Sequence, residues 1–306
     1  MDNPRFVAND KQNALHGKVV WSPQVSLWVF GMATTAIIGG ALTVSLTHVA
    51  VFLATSAVTL CLGHSLGMHR LLIHRSYRTF KPLEYVLVWL GVLIGLAGPG
   101  GLMFTHDLRD WAQRQNQCHD YFSHRSRWFI DCWWQLHCRI ELNDPPTFVP
   151  ESAFEADPVY RWMERHWMAQ QLIPALALFL IGGLGWVIWG VCMRVTVSIF
   201  GHWLVGYFAH NQGHRDWHVQ GAGVQGYNLK FLSLLTMGES WHNNHHAFPG
   251  SAQLGLKKGQ LDPGWWVLLA LEKLGLVWAV KRPEDLSHRK ELAPVYSAKG
   301  LTPEVH

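Results

Sequence analysis

Apolar residues in this chain are gathered into long blocks. Residues 24–44 and 46–63 are apolar and almost uncharged, and each is about long enough to cross a bilayer as a helix. Ser45 and Thr47-His48 sit at the bend between them, so the pair reads as a helical hairpin. A third block, 84–105, is interrupted by Gly98-Pro99-Gly100-Gly101. A polar and aromatic region follows from His106 to about Met168. Two further apolar blocks cover 171–190 and 191–209, dividing near Gly182-Gly183-Leu184-Gly185. Beyond 211 the chain is mostly polar. Asp262-Pro263-Gly264-Trp265-Trp266 opens an amphipathic segment, and residues 285–306 form a polar tail.

The placement of Lys and Arg orients these blocks. Neither presumed outer turn, around 45–47 and 182–186, contains either residue, whereas 1–20, 69–81, 109–165 and 215–299 hold nearly all of them. The positive-inside rule assigns those regions, and with them both termini, to the cytoplasm. A full crossing by 84–105 would put the histidines before and after it on opposite faces. The Gly-Pro-Gly-Gly break allows the segment to enter and return on one side. The pattern therefore predicts an all-α integral membrane protein, one domain over 1–306. It has four transmembrane helices, one embedded or re-entrant segment, and a cytosolic helical cap. Five spans is the rival count.

Composition agrees with a membrane protein. Of 306 residues, 49% are hydrophobic and 15% are charged, against about 25% charged in a typical soluble domain. The 17 tryptophans suit membrane–water interfaces. The net charge of +4, with no basic run, gives no support for nucleic-acid binding. The five cysteines form no C-x-x-C pair, so no disulfide or zinc ribbon is expected. The first 20 residues lack the apolar core of a cleavable signal peptide.

The chemistry is carried by histidine, of which there are 19. His242, His245 and His246 form an H-x-x-H-H array after Glu239, and on a helix they share one turn. Neutral imidazole ligates transition metals. His64 and His69, followed by His74, stand where the second block ends; such a pair also suits an interface. His106 begins a polar helix in which Asp110 is one turn away. Asp110 is a candidate ligand, or the partner of Arg114 at i, i+4. His202, Gly206 and His210 lie four apart in the last block, and ionisable residues inside an apolar helix are functional candidates by default. About eight imidazoles at helix ends exceed the three or four ligands of one zinc ion, which suggests two metal ions. No H-E-x-x-H is present, which argues against a zincin protease. Nitrogen-rich coordination suits iron and dioxygen.

Together these residues resemble the membrane-bound fatty acid desaturases of the acyl-CoA, or stearoyl-type, family over residues 20 to 285. The resemblance is strongest at His64 to His69 with His74-Arg75-Ser76-Tyr77, and at Gly238 to Gly250. Leu261-Asp262-Pro263, Trp265-Trp266 and Val280-Lys281-Arg282-Pro283 resemble the bacterial members. The resemblance implies a di-iron centre under a cytosolic cap, dioxygen as co-substrate, and a kinked tunnel for an acyl chain carried on CoA or a lipid. It implies ligands at His64, His69, His106, His210, His242, His245 and His246. The second histidine box is altered: where the family has H-x-x-H-H, this chain has His106, Arg109 and Asp110. Arg109 cannot ligate a metal, and the family's water-holding asparagine is Gly206 here. Asp110 and His202 are the candidate replacements. Arg109 and Arg114 are candidates for holding an anionic headgroup, or for simple solvation.

The expected function is iron- and dioxygen-dependent desaturation of an acyl chain, at the cytoplasmic face of a bacterial inner membrane. Electrons would come from a separate ferredoxin, or from a cytochrome b5-type donor with its reductase. The alternatives are a hydroxylase of the same superfamily, a metal-depleted non-catalytic homologue, and a haem-binding electron carrier.

Overall fold

A computed structural model describes residues 5–9 and 11–295. Three helical stretches are long and apolar enough to cross a membrane: Pro23–Thr43, Leu46–Ile73 and Ala169–Asn211. The first is α1 (Pro23–Thr43), with Pro23 in its first turn, where the missing N–H costs nothing. The second begins as α2 (Leu46–Val58), N-capped by Ser45, whose hydroxyl accepts from the His48 N–H. It then continues as a π-helix over Thr59–Ile73. The expected end at residue 63 is thus extended by ten residues. Leu66, Met68, Leu71, Leu72 and Ile73 keep the extension buried, so its histidines travel on an apolar element.

The third stretch reverses on itself. Gly183 has φ 72° and ψ −164°, outside any helix, and beyond it Gly190 packs against the Leu178 side chain. Twelve residues of straight helix would separate those two by about 18 Å. The chain therefore forms a hairpin that turns at Gly183 within α6 (Leu172–Val187); its second arm runs on through a π-helical stretch at Ile188–Met193 into α7 (Arg194–Asn211). The break falls inside the glycine-rich stretch but before the expected boundary at 190. Gly185 packs on His48, so the turns of the two hairpins meet at one end of the bundle.

The interrupted block forms α3 (Lys81–Val92) and α4 (Pro99–Arg114). A Cβ on Gly63 would run into the Leu90 backbone, and one on Gly67 into the Leu87 carbonyl. Small residues let helix backbones touch, so α3 runs antiparallel along the π-helix and stops level with about its start. The chain turns over 93–98 and α4 comes back. The turn carbonyls find donors on three other elements: Gln171 and the buried Arg194 donate to Leu93 O, and Trp28 donates to Gly95 O at 2.9 Å. Backbone polar groups in an apolar layer need such partners. Pro99 opens α4, and its free N–H groups at Gly100 and Gly101 are taken by the Glu164 carboxylate.

The remaining polar segments wrap the opposite end from the Gly183 turn. They include α5 (Trp128–His137), the six-residue α8 (His242–Ala247) and α9 (Pro263–Lys273). Helix predominates, as expected, but four two-stranded antiparallel ladders are added among the described residues. In the longest, Gly17–Trp21 pairs with Cys138–Leu142; both are short β-branched or alternating runs that favour extended chain. The expected polar tail is partly folded: Leu292–Pro294 pairs with Trp217–Val219, and residues 296–306 lie outside the described residues.

Candidate metal centre

Two groups of histidines converge between the bundle and its cap. His69, His74, His106 and His245 form the first, and His210, His242 and His246 the second; within each, the ligating atoms lie within 4.8 Å of one another.

The first group depends on the π-helix. His64, His69 and His74 are spaced by five. In an α-helix, five residues turn the side chain about 140° away. In a π-helix, i→i+5 bonding brings it nearly back, and the His74 N–H bonds the His69 carbonyl at 3.0 Å. The rings of His69 and His74 are accordingly 4.7 Å apart. His106 arrives on α4 and His245 on α8, with ring centroids 5.4 Å and 4.6 Å from that of His69. Among the described residues, Nε2 of His74 and Nδ1 of His245 are buried without a hydrogen-bond partner. Buried nitrogens are rarely left so, and a cation would satisfy them. Burial holds His74, His242 and His245 well below the usual imidazole range and brings His246 to about 4, so these rings are neutral at pH 7, the form that ligates. A Glu239 carboxylate oxygen lies 2.6 Å from His69 Nδ1, while its other oxygen accepts from the Ser65 hydroxyl at 2.6 Å. Carboxylates beside ligand histidines set the ring orientation.

In the second group the three Nε2 atoms face one another: His210 to His242 is 3.1 Å, and His242 to His246 is 3.0 Å. His210 donates Nδ1–H to the Gly206 carbonyl at 2.7 Å, so its Nε2 presents a bare lone pair. Lone pairs directed at one point repel unless a cation sits between them. The donor set of both groups therefore fits a transition metal.

The short α8 cannot hold itself together. Its two asparagines do so. Asn243 accepts from the Asp216 and Trp217 N–H groups and donates to the Trp217 and Gly226 carbonyls. Asn244 donates to Leu254 O and Gln260 Oε1. Asn228 accepts from the Asn243 N–H, and Arg289 donates to the last carbonyls, those of His246 and Ala247.

Asp110 reaches its expected partner Arg114 at 3.3 Å. Burial alone would raise its carboxyl, but the positive charge at His106 and Arg114 outweighs this and holds it well below the carboxylate range. Arg109 turns inward, donating to His124 Nε2 at 2.7 Å and Gln135 Oε1 at 2.6 Å; its guanidinium is thus engaged inside the protein rather than offered to a headgroup. His64 joins neither group. Its ring faces His202 at 5.3 Å. From the sequence, His74 reads only as a flanking residue, and His124 and Asp131 carry no assigned role. The repeated five-residue spacing was the available signal for His74.

The chain is similar to several characterised proteins. It is 35% identical over 221 residues to the sn-1 stearoyl-lipid 9-desaturase of Anabaena variabilis, covering 72% of this chain and 79% of that one. It is 31% identical over 232 residues to the sn-2 palmitoyl-lipid 9-desaturase of Nostoc sp. (strain 36), covering 74% and 80%. It is 30% identical over 232 residues to the acyl-CoA C20 Delta5-desaturase of Anemone leveillei, covering 74% and 72%. No family model matches the chain.

Proposed function

This chain belongs to the membrane fatty acid desaturase family, and on that premise we propose that its two histidine groups each hold one iron ion for fatty acyl desaturation. The observation that carries this reading is the pair of groups itself: seven neutral-capable imidazoles, in sets of four and three, at one end of an apolar bundle. Iron bound there supplies the redox chemistry by which dioxygen, two electrons and two protons take two hydrogens from adjacent methylenes, leaving a double bond and two waters.

The chain's own residues supply the rest. His69, His74, His106 and His245 would hold one ion, and His210, His242 and His246 the other. Glu239 and the Gly206 carbonyl fix the rings of His69 and His210. Asp110, one turn after His106 on α4, would supply negative charge against the bound cations. Methylenes offer no polar handle, so the reacting carbons are chosen by where the chain is held, and the apolar helices keep water from the site.

The substrate is an acyl chain carried on CoA or on a membrane lipid. The electron donor is a separate ferredoxin or cytochrome b5-type protein. The fold supports four spanning helices and a re-entrant α3–α4 segment, since α3 stops midway along its neighbour and its turn is capped by Arg194, Gln171 and Trp28. The Lys and Arg distribution supports a cytoplasmic metal site in the inner membrane of a bacterium.

Expression in a host without desaturases, followed by lipid profiling by mass spectrometry, tests the function. New acyl species lighter by the mass of a pair of hydrogens are expected with the native chain and absent with His245→Ala. Products that gain oxygen instead would overturn desaturation in favour of hydroxylation.

A further inference from the structure

Arg109 occupies a place of its own beside the second histidine group. A guanidinium only donates hydrogen bonds, so His124 Nε2, 2.7 Å from Arg109 Nη1, is an acceptor. The His124 proton is then on Nδ1, which faces Asp131 Oδ2 at 3.0 Å. That oxygen also accepts from Trp203 Nε1 at 2.8 Å. His124 and Asp131 are both buried, and the Asn211 amide holds the His124 carbonyl at 2.9 Å. The imidazole is therefore fixed in position, tautomer and tilt.

What the fixed ring touches is His210. The two imidazoles lie nearly parallel, with centroids 5.4 Å apart and 14° between planes. Gly206 makes the arrangement fit: a Cβ there would approach His124 Nε2 at 3.3 Å and Arg109 Nη1 at 3.8 Å. Its carbonyl at the same time accepts from His210 Nδ1. His210 is thus held at its edge by Gly206 and on its face by His124.

We propose that Arg109, His124 and Asp131 form a positioning chain that sets the His210 imidazole for metal binding, so that Arg109 supports the second metal without ligating it. This rests on the reading that His210, His242 and His246 hold a metal. A guanidinium that merely stood near a dication would weaken its binding by repulsion, so the two roles predict opposite signs.

The test uses the full-length protein in detergent, stripped of metal and reloaded with Co(II). Metal per chain, the ligand-field spectrum and the rate of release to a chelator are measured for the native protein, Arg109→Leu, Arg109→Lys and Asp131→Asn. The native protein should take two ions, and His74→Ala identifies the pool belonging to the first group. Arg109→Leu and Asp131→Asn should release the second ion about tenfold faster, as loss of groups that orient metal ligands does, with an altered spectrum for that ion only. Arg109→Lys, which still donates to His124 Nε2, should recover part of the loss. Unchanged release in the Leu and Asn variants, or tighter binding in Arg109→Leu, would overturn the proposal. A native protein that takes up only one ion would instead overturn the underlying two-metal reading. Should Arg109→Leu fail to fold, Asp131→Asn with Arg109→Lys still decides the question.

Discussion

His74 and His64 separate two registers of the first histidine box. The resemblance placed ligands at His64 and His69, whereas the geometry gathers His69 and His74 with His106 and His245 and leaves His64 facing His202. His74→Ala should therefore remove metal from the first group and abolish activity to the extent that His245→Ala does. His64→Ala should keep the metal, as read by elemental analysis of purified protein. The reverse ranking would restore the original register. The difficulty of reading this position is physical: ligand spacing is ordinarily sought at three and four residues, because that is what an α-helix aligns. Nothing in Thr59–Ile73 marks it as π-helical in advance. His242, His245 and His246 were legible because they follow the ordinary rule. Of the two roles expected for Asp110, the pairing with Arg114 is formed, and neither histidine group includes its carboxylate.

At the scale of elements, the contact between α3 and the π-helix positions the first group. Gly63 and Gly67 let the two backbones touch, and the π-helix in turn carries His69 and His74. Gly67→Val would drive its side chain into the Leu87 carbonyl, and a backbone cannot swing aside as a side chain can. Overpacking commonly costs about 1–3 kcal/mol, and the upper part of that range is expected here, together with faster loss of metal. Thermal unfolding in detergent checks this, with Gly31→Val as control, because a Cβ at Gly31 meets nothing within 4 Å. Equal effects at the two glycines would remove the backbone-contact argument. Elements built from apolar length, such as α1, were legible almost to the residue. The run-on of the second helix to Ile73 was not, because polar His64 and His69 interrupt its composition while burial among Leu66, Leu71 and Leu72 sustains the helix. The Gly98–Gly101 break reads as a reversal, but the partners that make it tolerable, Gln171 and Arg194, lie 78 and 101 residues beyond Leu93, and no local pattern points to them.

For the whole molecule, the arrangement of ends is the strongest constraint. The Gly183 turn and the bend at Ser45 meet at one end, through Gly185 against His48, and both histidine groups gather at the other. Residues before α3 and after α4 must then share a side, or His69 and His74 could not meet His106. A re-entrant α3–α4 satisfies this, while a fifth crossing would separate them by the roughly 30 Å of a bilayer's apolar core. The proposed orientation makes the shared side cytoplasmic, which the Lys and Arg distribution supports. Cysteine labelling checks the whole arrangement at once. In a background without native cysteines, Ser45→Cys and Leu184→Cys should react with a membrane-impermeant maleimide in intact spheroplasts. Lys81→Cys and Gln117→Cys, exposed residues flanking the α3–α4 segment, should react only after lysis. If Lys81→Cys and Gln117→Cys label from opposite sides, α3–α4 spans the membrane, the histidines of the first group cannot share a metal, and the assembled site described by this fold is wrong.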